Sequence, residues 1–355
     1  MPAPLTVLGI ETSCDETAVA IVGERGTRIR ANLVQSQLAE HAPYGGVVPE
    51  IAARAHLDHV DALVRRALDE AGLGLGEVDG IAASAGPGLI GGLLVGTMAG
   101  KGLAWAAGKP YIAVNHLEAH ALTARLTDDV AFPYLLLLVS GGHSQLLVCL
   151  GVGRFVQLGT TRDDAAGEAF DKAAKLLGLA QPGGPAIERA AQGGNPARFA
   201  LPQPLRGRKG YDFSFSGLKT AVRERVETAG SLAAEDVADL AASVERAICE
   251  ALASRTAHAI AWFTRHYPEG RTLVAAGGVA ANARLRGRLT ALAVEAGLGF
   301  VAPPAPLCTD NGAMIAWAGL ERLRLGLADG LDAPVRPRWP LDPEGAARTP
   351  KGRGQ

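Results

Sequence analysis

The chain is poor in cysteine, with four in 355 residues. Cys14, Cys149, Cys249 and Cys308 are scattered, and no pair has the CxxC spacing. This pattern argues against a disulfide framework and against a thiolate metal site, so we expect reduced thiols. Three of them are expected to be small buried apolar residues, whereas Cys14 lies in a predicted polar turn.

The chain also lacks an excess of charge and any apolar run of membrane-spanning length. Its net charge of -1 excludes a globally basic nucleic-acid binder but leaves room for a local basic face. The first residues, MPAPLTVLGIETS, contain neither a basic n-region nor an apolar h-region of signal-peptide length. We therefore predict a cytoplasmic protein that does not enter a membrane.

Two kinds of segment occur twice. Residues 5–22 and 134–150 each read as apolar run, polar turn and apolar run, as in a β-hairpin. Residues 79–105 and 272–297 each read as strand, Gly-rich turn and helix. The repetition predicts an α/β protein with two similar lobes and a ligand cleft between them.

The length of the chain favours two domains over one. We predict an N-terminal lobe over 1–133, which contains the first hairpin, and a C-terminal lobe over 134–333. Residues 334–355 are rich in Pro, Gly and Arg and are predicted to form a flexible tail.

Glycine pairs mark four of the predicted turns: Gly86-Pro87-Gly88, Gly141-Gly142, Gly183-Gly184 and Gly277-Gly278. None matches GxxxxGK[ST] or GxGxxG, so no P-loop and no dinucleotide fingerprint is indicated. Each alone is typical of an ordinary turn. Together, at equivalent places in two half-repeats, they can present backbone N–H groups to phosphate, as in the actin, Hsp70 and sugar-kinase superfamily.

His116 and His120 are the strongest candidates for metal ligands. Residues four apart lie on one face of a helix, so both imidazoles can reach one ion. Zinc would need a third protein ligand and an open position, and ferrous iron would accept two histidines and a carboxylate. The pattern differs from HExxH, because Leu117 follows the first histidine and the acid is Glu118. The alternative is that His116 caps the helix and His120 packs in the core.

The motifs as a set resemble the tRNA threonylcarbamoyladenosine transferase family, which includes the bacterial TsaD and archaeal or eukaryotic Kae1 proteins, formerly called glycoproteases. They span nearly the whole chain in order: GIETSCDETA from Gly9, YGGVVPE from Tyr44, AGPGL from Ala85, NHLEAH from Asn115, LVSGGHSQL from Leu138, DDAAGEAFDKAAKLLGL from Asp163, PGGP from Pro182, FSFSGLKTAV from Phe213, GGVAAN from Gly277 and TDNGAMIA from Thr309.

The resemblance implies a reaction and a set of partners. Such proteins transfer the threonylcarbamoyl group of threonylcarbamoyl-AMP to N6 of adenosine 37 in tRNAs that read codons beginning with A, forming t6A. A separate enzyme makes the adenylate. In bacteria they act with a shorter paralogue of the same fold and a small P-loop ATPase. One divalent metal is implied, with Fe²⁺ favoured over Zn²⁺.

The resemblance also assigns residues. Asp310 joins His116 and His120 as a metal ligand. The adenylate-binding positions are Leu138, Val139, Ser140, Gly141, Gly142, Asp171, Gly184 and Asn282. In chemical terms, Gly141 and Gly142 offer N–H groups to phosphate and Asp171 can accept from ribose hydroxyls. For Asp310 and Asn282 the structural alternative is a helix N-cap.

Asp15 and Glu16, in the first predicted hairpin turn, are candidates for the general base. Adenine N6 is a poor nucleophile because its lone pair is delocalised, so a carboxylate that takes its proton would lower the barrier. Hairpin-turn acids are more often solvated turn formers. Asp163, Asp164 and Glu168 compete for the role.

Residues 198–226 combine arginines and lysines with aromatic residues, which suits phosphate contacts and base stacking. The basic residues are Arg198, Arg206, Arg208, Lys209, Lys219, Arg223 and Arg225, and the aromatics are Phe199, Tyr211, Phe213 and Phe215. A solvated loop and helix face is the alternative. Two other functions stay open: a superfamily ATPase or small-molecule kinase, and a metalloprotease.

Overall fold

The structure is a computed structural model that describes residues 4–44 and 46–348. The strands are β1 Thr6–Glu11, β2 Glu16–Gly23, β3 Ile29–Ser36, β4 Gly80–Gly86, β5 Tyr111–Asn115, β6 Tyr134–Val139, β7 Ser144–Gly151, β8 Arg154–Thr160, β9 Thr272–Ala276 and β10 Gly299–Val301. The α-helices are α1 Leu38–His41, α2 Pro49–Ala71, α3 Ile90–Ala107, α4 His116–Asp128, α5 Ala166–Leu176, α6 Gly183–Ala190, α7 Ser216–Ala229, α8 Ala234–His266, α9 Ala283–Glu295, α10 Ala305–Cys308, α11 Gly312–Arg324 and α12 Pro343–Arg348. Short 3-10 turns occupy Ala42–Tyr44, Leu75–Glu77 and Gly278–Ala281.

Each half of the chain forms a five-stranded mixed sheet, and the two sheets have the same strand order. The first runs β3-β2-β1-β4-β5 and the second β8-β7-β6-β9-β10. In each, an antiparallel hairpin is extended on one side by a parallel strand, β4 beside β1 and β9 beside β6. Every residue of β1 and of β6 is buried, as expected for strands covered on both faces. The predicted duplicated α/β fold is therefore confirmed.

The chain divides into two compact units, but their boundaries differ from the predicted ones. The first unit comprises residues up to 129 together with 309–343, and the second begins at 130 and runs to 308. The predicted boundary at 133/134 is thus close, whereas the predicted lobe over 134–333 is wrong at its C-terminal end. Residues 309–333 return to the first unit.

Helix α11 explains this return, because it packs closely on the first sheet. A Cβ added to Gly9 of β1 would lie 2.7 Å from the carbonyl oxygen of Gly312, so glycine permits the close approach of strand and helix. The N–H of Ala313 donates to Asn32 Oδ1 at 3.2 Å. The helix is buried nearly all round, and an apolar pattern alone does not say which of two similar sheets it covers.

The predicted flexible tail is also wrong over its first part. The Arg336 N–H donates to the carbonyl oxygen of Ala85 at 2.7 Å, and the Gly88 N–H donates to that of Pro337 at 3.2 Å. Asn115 Nδ2 donates to the Trp339 carbonyl oxygen at 3.0 Å. These backbone contacts fix the segment on the first unit. Residues 349–355 of the predicted tail lie outside the described residues.

Helix α3 is the one described helix that is long and apolar enough to cross a membrane, with a third of its length buried. In the structure it packs beside β1 and β4, where Thr12 Oγ1 donates to the Gly92 carbonyl oxygen at 2.9 Å. Its small residues therefore have a packing role in the first unit. The four cysteines form no disulfide within the described residues, and Cys149, Cys249 and Cys308 are buried, as predicted.

Candidate functional site

The two histidines begin helix α4 and are both buried. Asn115, the last residue of β5, caps the helix, because its Oδ1 accepts hydrogen bonds from the N–H groups of Leu117 and Glu118. The cap is therefore Asn115 and not His116. The imidazole centroids of His116 and His120 lie 4.7 Å apart. Both Nε2 atoms are turned toward the same carboxylate.

Asp310 supplies that carboxylate from the segment just before α11. Its Oδ1 lies 3.0 Å from His120 Nε2 and 3.5 Å from His116 Nε2. The alternative role of helix N-cap falls to Asn311, whose Oδ1 accepts from the Met314 N–H at 3.0 Å. The three ligand atoms all lie within 4.8 Å of one another. Two imidazole nitrogens and one carboxylate oxygen make a donor set that a divalent metal ion can use.

Glu11 and Ser13 contact the Nδ1 side of the His116 ring, and neither residue was singled out from the sequence. Glu11 Oε2 lies 3.0 Å and Ser13 Oγ 3.1 Å from His116 Nδ1. Glu11 is fully buried at the end of β1. A carboxylate on one ring nitrogen orients the imidazole and leaves the other nitrogen free for a metal. The motif GIETSCDETA contains both residues, but 105 positions separate Glu11 from its histidine.

The charge around His116 changes its titration. Burial disfavours its protonated form, but the carboxylates of Asp310 and Glu11 outweigh burial and raise the pKa of His116 to about 9. A metal ion at Nε2 must therefore displace a proton.

Of the predicted base candidates, Asp15 lies in the turn between β1 and β2 of the same unit, and Glu16 is the first residue of β2. Burial, followed by repulsion from Asp310 and Asp15, raises the pKa of Glu16 to about 9. Burial and the same two carboxylates also raise the pKa of Cys14 far above its ordinary value. At neutral pH such a carboxyl group is protonated unless a cation offsets the negative charge of the neighbouring carboxylates. A divalent ion among the three ligands would provide that positive charge.

The three competing acids have structural partners instead. Asp163 accepts hydrogen bonds at the N-terminus of α7, at 2.6 Å from the Phe215 N–H and 3.1 Å from the Ser216 N–H. Asp164 Oδ1 lies 2.6 Å from Lys172 Nζ, and Glu168 Oε1 lies 3.2 Å from the same nitrogen. Asp163 therefore caps α7, and Asp164 and Glu168 form ion pairs with Lys172.

The predicted adenylate residues lie in the second unit, where several Gly-containing turns converge. Leu138 and Val139 end β6 with fully buried side chains, so only their backbone could contact a ligand. The Ser140 N–H donates to the His143 carbonyl oxygen at 2.8 Å and closes the turn that holds Gly141 and Gly142. A Cβ on either glycine would meet no protein atom within 4 Å.

Two further turns lie beside this one. The N-terminus of α5 contacts it, since the Glu168 N–H donates to the Gly141 carbonyl oxygen at 3.1 Å. Gly277, at the end of β9, has a φ of +91°, and a Cβ there would lie 3.2 Å from the Ser140 nitrogen. Because β6 and β9 are parallel, their carboxyl ends meet at one edge of the sheet, where open α/β sheets bind ligands.

Asp171 and Asn282 are already engaged. Asp171 Oδ1 accepts from the Gly183 N–H at 2.7 Å, which fixes the N-terminus of α6, where Gly184 lies. Asn282 caps α9 through the Leu285 N–H at 2.9 Å and donates from Nδ2 to Glu245 Oε1 at 2.8 Å. The structural alternative of a helix N-cap is thus met by Asn282, and its role in binding the adenylate stays a prediction.

The predicted RNA segment is only partly available. Phe213 and Phe215 are buried, with 1% exposure each, and cannot stack on bases. Arg198 pairs with Asp236 and Asp239, at 2.5 and 2.8 Å. The other basic side chains of the segment are exposed too: Arg206, Arg208, Lys209, Lys219, Arg223 and Arg225. Phe213 and Phe215 thus belong to the core, whereas Phe199 and Tyr211 are partly buried.

Comparisons with known proteins agree with this geometry. A family model, TsaD: tRNA N6-adenosine threonylcarbamoyltransferase, matches residues 28–317. The tRNA N6-adenosine threonylcarbamoyltransferase of Rhodospirillum rubrum is 62% identical over 350 residues, which is 97% of each chain. Among solved structures, T. kodakarensis HypF is similar with a TM-score of 0.59 at 15% identity, covering 92% of this chain and 49% of that one. Component A of the Acidaminococcus fermentans (R)-2-hydroxyglutaryl-CoA dehydratase has a TM-score of 0.52 at 15% identity, covering 90% and 99%.

The fold and the site define a protein of the actin, Hsp70 and sugar-kinase fold class with a His-His-Asp group that can hold a metal ion. The chain belongs to the tRNA N6-adenosine threonylcarbamoyltransferase family. It is a transferase that forms t6A by adding a threonylcarbamoyl group to N6 of adenosine in tRNA.

The kinase and protease alternatives are not favoured. The position after His116 is Leu117, which is buried, and Glu118 lies against Arg322 with their side chains 3.4 Å apart. The helix therefore places no general base where an HExxH protease needs one.

Proposed function

We propose that the second unit binds threonylcarbamoyl-AMP through the backbone N–H groups of Gly141 and Gly142, in the turn that follows β6. The observation that carries the proposal is the convergence of this turn with the N-terminus of α5 and with Gly277. Glycines allow a phosphate oxygen to approach the backbone without a Cβ in the way, and the N-terminus of a helix favours an anion. Asp171 is proposed to accept hydrogen bonds from the ribose hydroxyls.

We propose that His116, His120 and Asp310 of the first unit hold one divalent metal. Two imidazoles and a carboxylate suit Fe²⁺, with Zn²⁺ as the alternative. Such an ion supplies Lewis-acid chemistry that polarises a carbonyl group. Glu11 keeps the His116 ring in the tautomer whose Nε2 is free to bind.

Asp15 and Glu16 remain the proposed general bases. During attack on the carbamoyl carbon, the base takes the proton from adenine N6, the new C–N bond forms, and AMP leaves with the electron pair of the broken C–O bond. Glu16 can do this only in its ionised form, so its role depends on positive charge at the neighbouring ligand set. The acceptor is proposed to be adenosine 37 of tRNAs that read codons beginning with A.

The proposed partners are a shorter paralogous subunit and a small P-loop ATPase, in the cytoplasm. An exposed apolar surface supports a protein partner. Ile90, Leu94 and Met98 of α3 are 50%, 46% and 60% exposed, and Trp105 is 77% exposed. Three of these residues are four apart and share one helix face, and exposed apolar surface of this kind marks interaction sites.

Gly142→Val tests the adenylate site. The Val side chain is expected to obstruct phosphate and to weaken binding of a non-hydrolysable adenylate analogue at least 10-fold, because it fills the space left by the glycine. The fold should survive, since no protein atom lies within 4 Å of the new Cβ. Isothermal titration calorimetry measures the affinity.

Gly287→Val, at an equally open and exposed position on α9, is the matched control and should bind the analogue like the parent chain. Equal affinity of the Gly142→Val variant and this control would place the adenylate elsewhere.

A further inference from the structure

A cavity of 260 Å³ lies in the second unit, apart from the turns assigned to the adenylate. It is lined by the loop around Gln203, by α8 and by α9. Three of its lining side chains are guanidinium groups, from Arg206, Arg255 and Arg288, and one is a carboxylate, from Glu250. The cavity is therefore strongly basic, although the chain as a whole is almost neutral.

Arg255 is the buried member of the group, with 3% exposure. Its Nη1 donates to the carbonyl oxygens of Arg208 and Gly210, at 2.7 and 3.2 Å, and so fixes the loop. Its Nη2 is also buried, and among the described residues it has no hydrogen-bond partner. Leaving a buried charged donor unpaired is costly, so an acceptor in the cavity would gain the energy of that hydrogen bond.

The charge in the cavity is not balanced by its own residues. Arg288 makes two contacts with Glu250, at 2.8 and 3.2 Å, so the lining carboxylate is already paired. Arg206 is exposed and makes no ion pair within the described part of the chain. Asp212, the acid that acts on Arg255 from farther away, is paired with Arg162 at 2.9 Å. Two guanidinium charges therefore remain uncompensated.

We propose that this cavity is a phosphate-binding site in which Arg255 and Arg206 are the donors. The planar guanidinium fork matches the oxygens of a phosphate group, and two positive charges match its negative charge. Arg208 and Lys209 lie exposed on the same loop and extend the basic surface outward. The phosphate has two sources, the backbone of the tRNA substrate or free inorganic phosphate. The first source rests on the proposed function.

The test compares Arg206→Ala, Arg255→Gln and the control Arg265→Ala, which removes an exposed charge from the same helix as Arg255 outside the cavity. Binding of an ANN-decoding tRNA is followed by fluorescence anisotropy over a range of salt concentrations, and binding of inorganic phosphate by calorimetry. If the site takes backbone phosphate, Arg206→Ala should weaken tRNA binding roughly 10-fold and reduce the slope of log affinity against log salt by about 1.

If the site takes free phosphate, the Arg206→Ala and Arg255→Gln variants should lose the calorimetric signal of the parent and keep its tRNA affinity. Arg206→Ala keeps the test valid even if Arg255→Gln misfolds, because the Arg206 side chain is exposed and does not fix the loop. The inference is overturned if both variants bind tRNA like the parent and, in addition, either bind phosphate like the parent or are compared with a parent that binds no phosphate. In that case normal t6A formation by the same parent preparation leaves the proposed function intact.

Discussion

The metal-ligand group depends on residues that are far apart in sequence. His116 and His120 are one helical turn apart, and their spacing alone predicted a shared face. Asp310 was implied only by resemblance, since 190 residues separate it from His120. Glu11 was missed because a single strand-end glutamate carries no spacing signal. Side chains that act through another side chain become visible only when the fold brings them together.

Glu11→Gln should weaken metal binding without abolishing it. The amide keeps the shape of the side chain but removes the charge that stabilises the His116 tautomer. Loss of such an outer carboxylate typically lowers metal affinity about 10–100-fold. Affinity is measured by competition with a chromophoric chelator for Fe²⁺ and for Zn²⁺.

Glu118→Gln is the matched control, because Glu118 is buried on the same helix but faces Arg322. It should bind metal like the parent, and the His116→Ala, His120→Ala double variant should hold none. Parent-like affinity in Glu11→Gln would show that Glu11 does not position the ligand.

At the scale of elements, the repeated hairpins and the strand-turn-helix units could be read from the sequence. Their apolar runs have strand length, and the turns within 79–105, 134–150 and 272–297 carry closely spaced glycines. The sequence did not predict on which sheet α11 packs, because its apolar residues fit either of two similar sheets. The aromatic residues of the basic segment were also misassigned. Phe213 forms an isolated bridge with Thr161 and is buried, so its spacing reflects packing.

Asp163→Asn should destabilise the second unit in a pH-dependent way. Burial raises the pKa of Asp163, but hydrogen bonds from Ser214, Phe215 and Ser216 outweigh it and hold the pKa below its ordinary value. An Asp whose pKa is lower in the folded than in the unfolded protein stabilises the fold at any pH above its unfolded pKa of about 3.9. This stabilisation is lost as the pH falls through its folded pKa. Asn keeps one acceptor oxygen for the N-terminus of α7 but removes the charge from these hydrogen bonds, so the expected cost is about 1 kcal/mol.

The difference in free energy of unfolding between parent and Asp163→Asn should therefore be constant from pH 7 to 5 and shrink below about pH 4. Urea unfolding followed by circular dichroism measures it. Asp61→Asn, which alters an exposed pair with Arg65, should show little change at any pH. A deficit that grows as the pH falls would refute the capping role.

At the scale of the whole molecule, the family and the duplicated fold were predictable, while the course of residues 309–343 was not. The motifs occur in order along the chain, so their resemblance identified the family. Residues 309–343 join the first unit through contacts such as that of Ala313 with Asn32, 281 positions away. Composition rich in Pro, Gly and Arg suggested a loose tail, whereas backbone hydrogen bonds to Ala85 and Gly88 fix part of it.

The near-neutral charge of the whole chain bears on how it acts. Electrostatic attraction to the phosphate backbone supplies much of the affinity for a nucleic acid. A chain with a net charge of -1 attracts the phosphate backbone only weakly, apart from local basic surfaces such as the loop around Arg206. We therefore expect the transfer to be slow or absent with this chain alone and to need the paralogous subunit and the ATPase.

Reconstitution of the transfer is the most direct test. The metal-loaded chain is mixed with threonylcarbamoyl-AMP and an ANN-decoding tRNA, with and without the two partner proteins, and nucleosides from the digested tRNA are measured by mass spectrometry. The same tRNA with guanosine at position 37 is the control. We predict t6A with the partners present, little or none with the chain alone, and none on the control tRNA. Absence of t6A in every combination, with a folded and metal-loaded protein, would contradict the assignment.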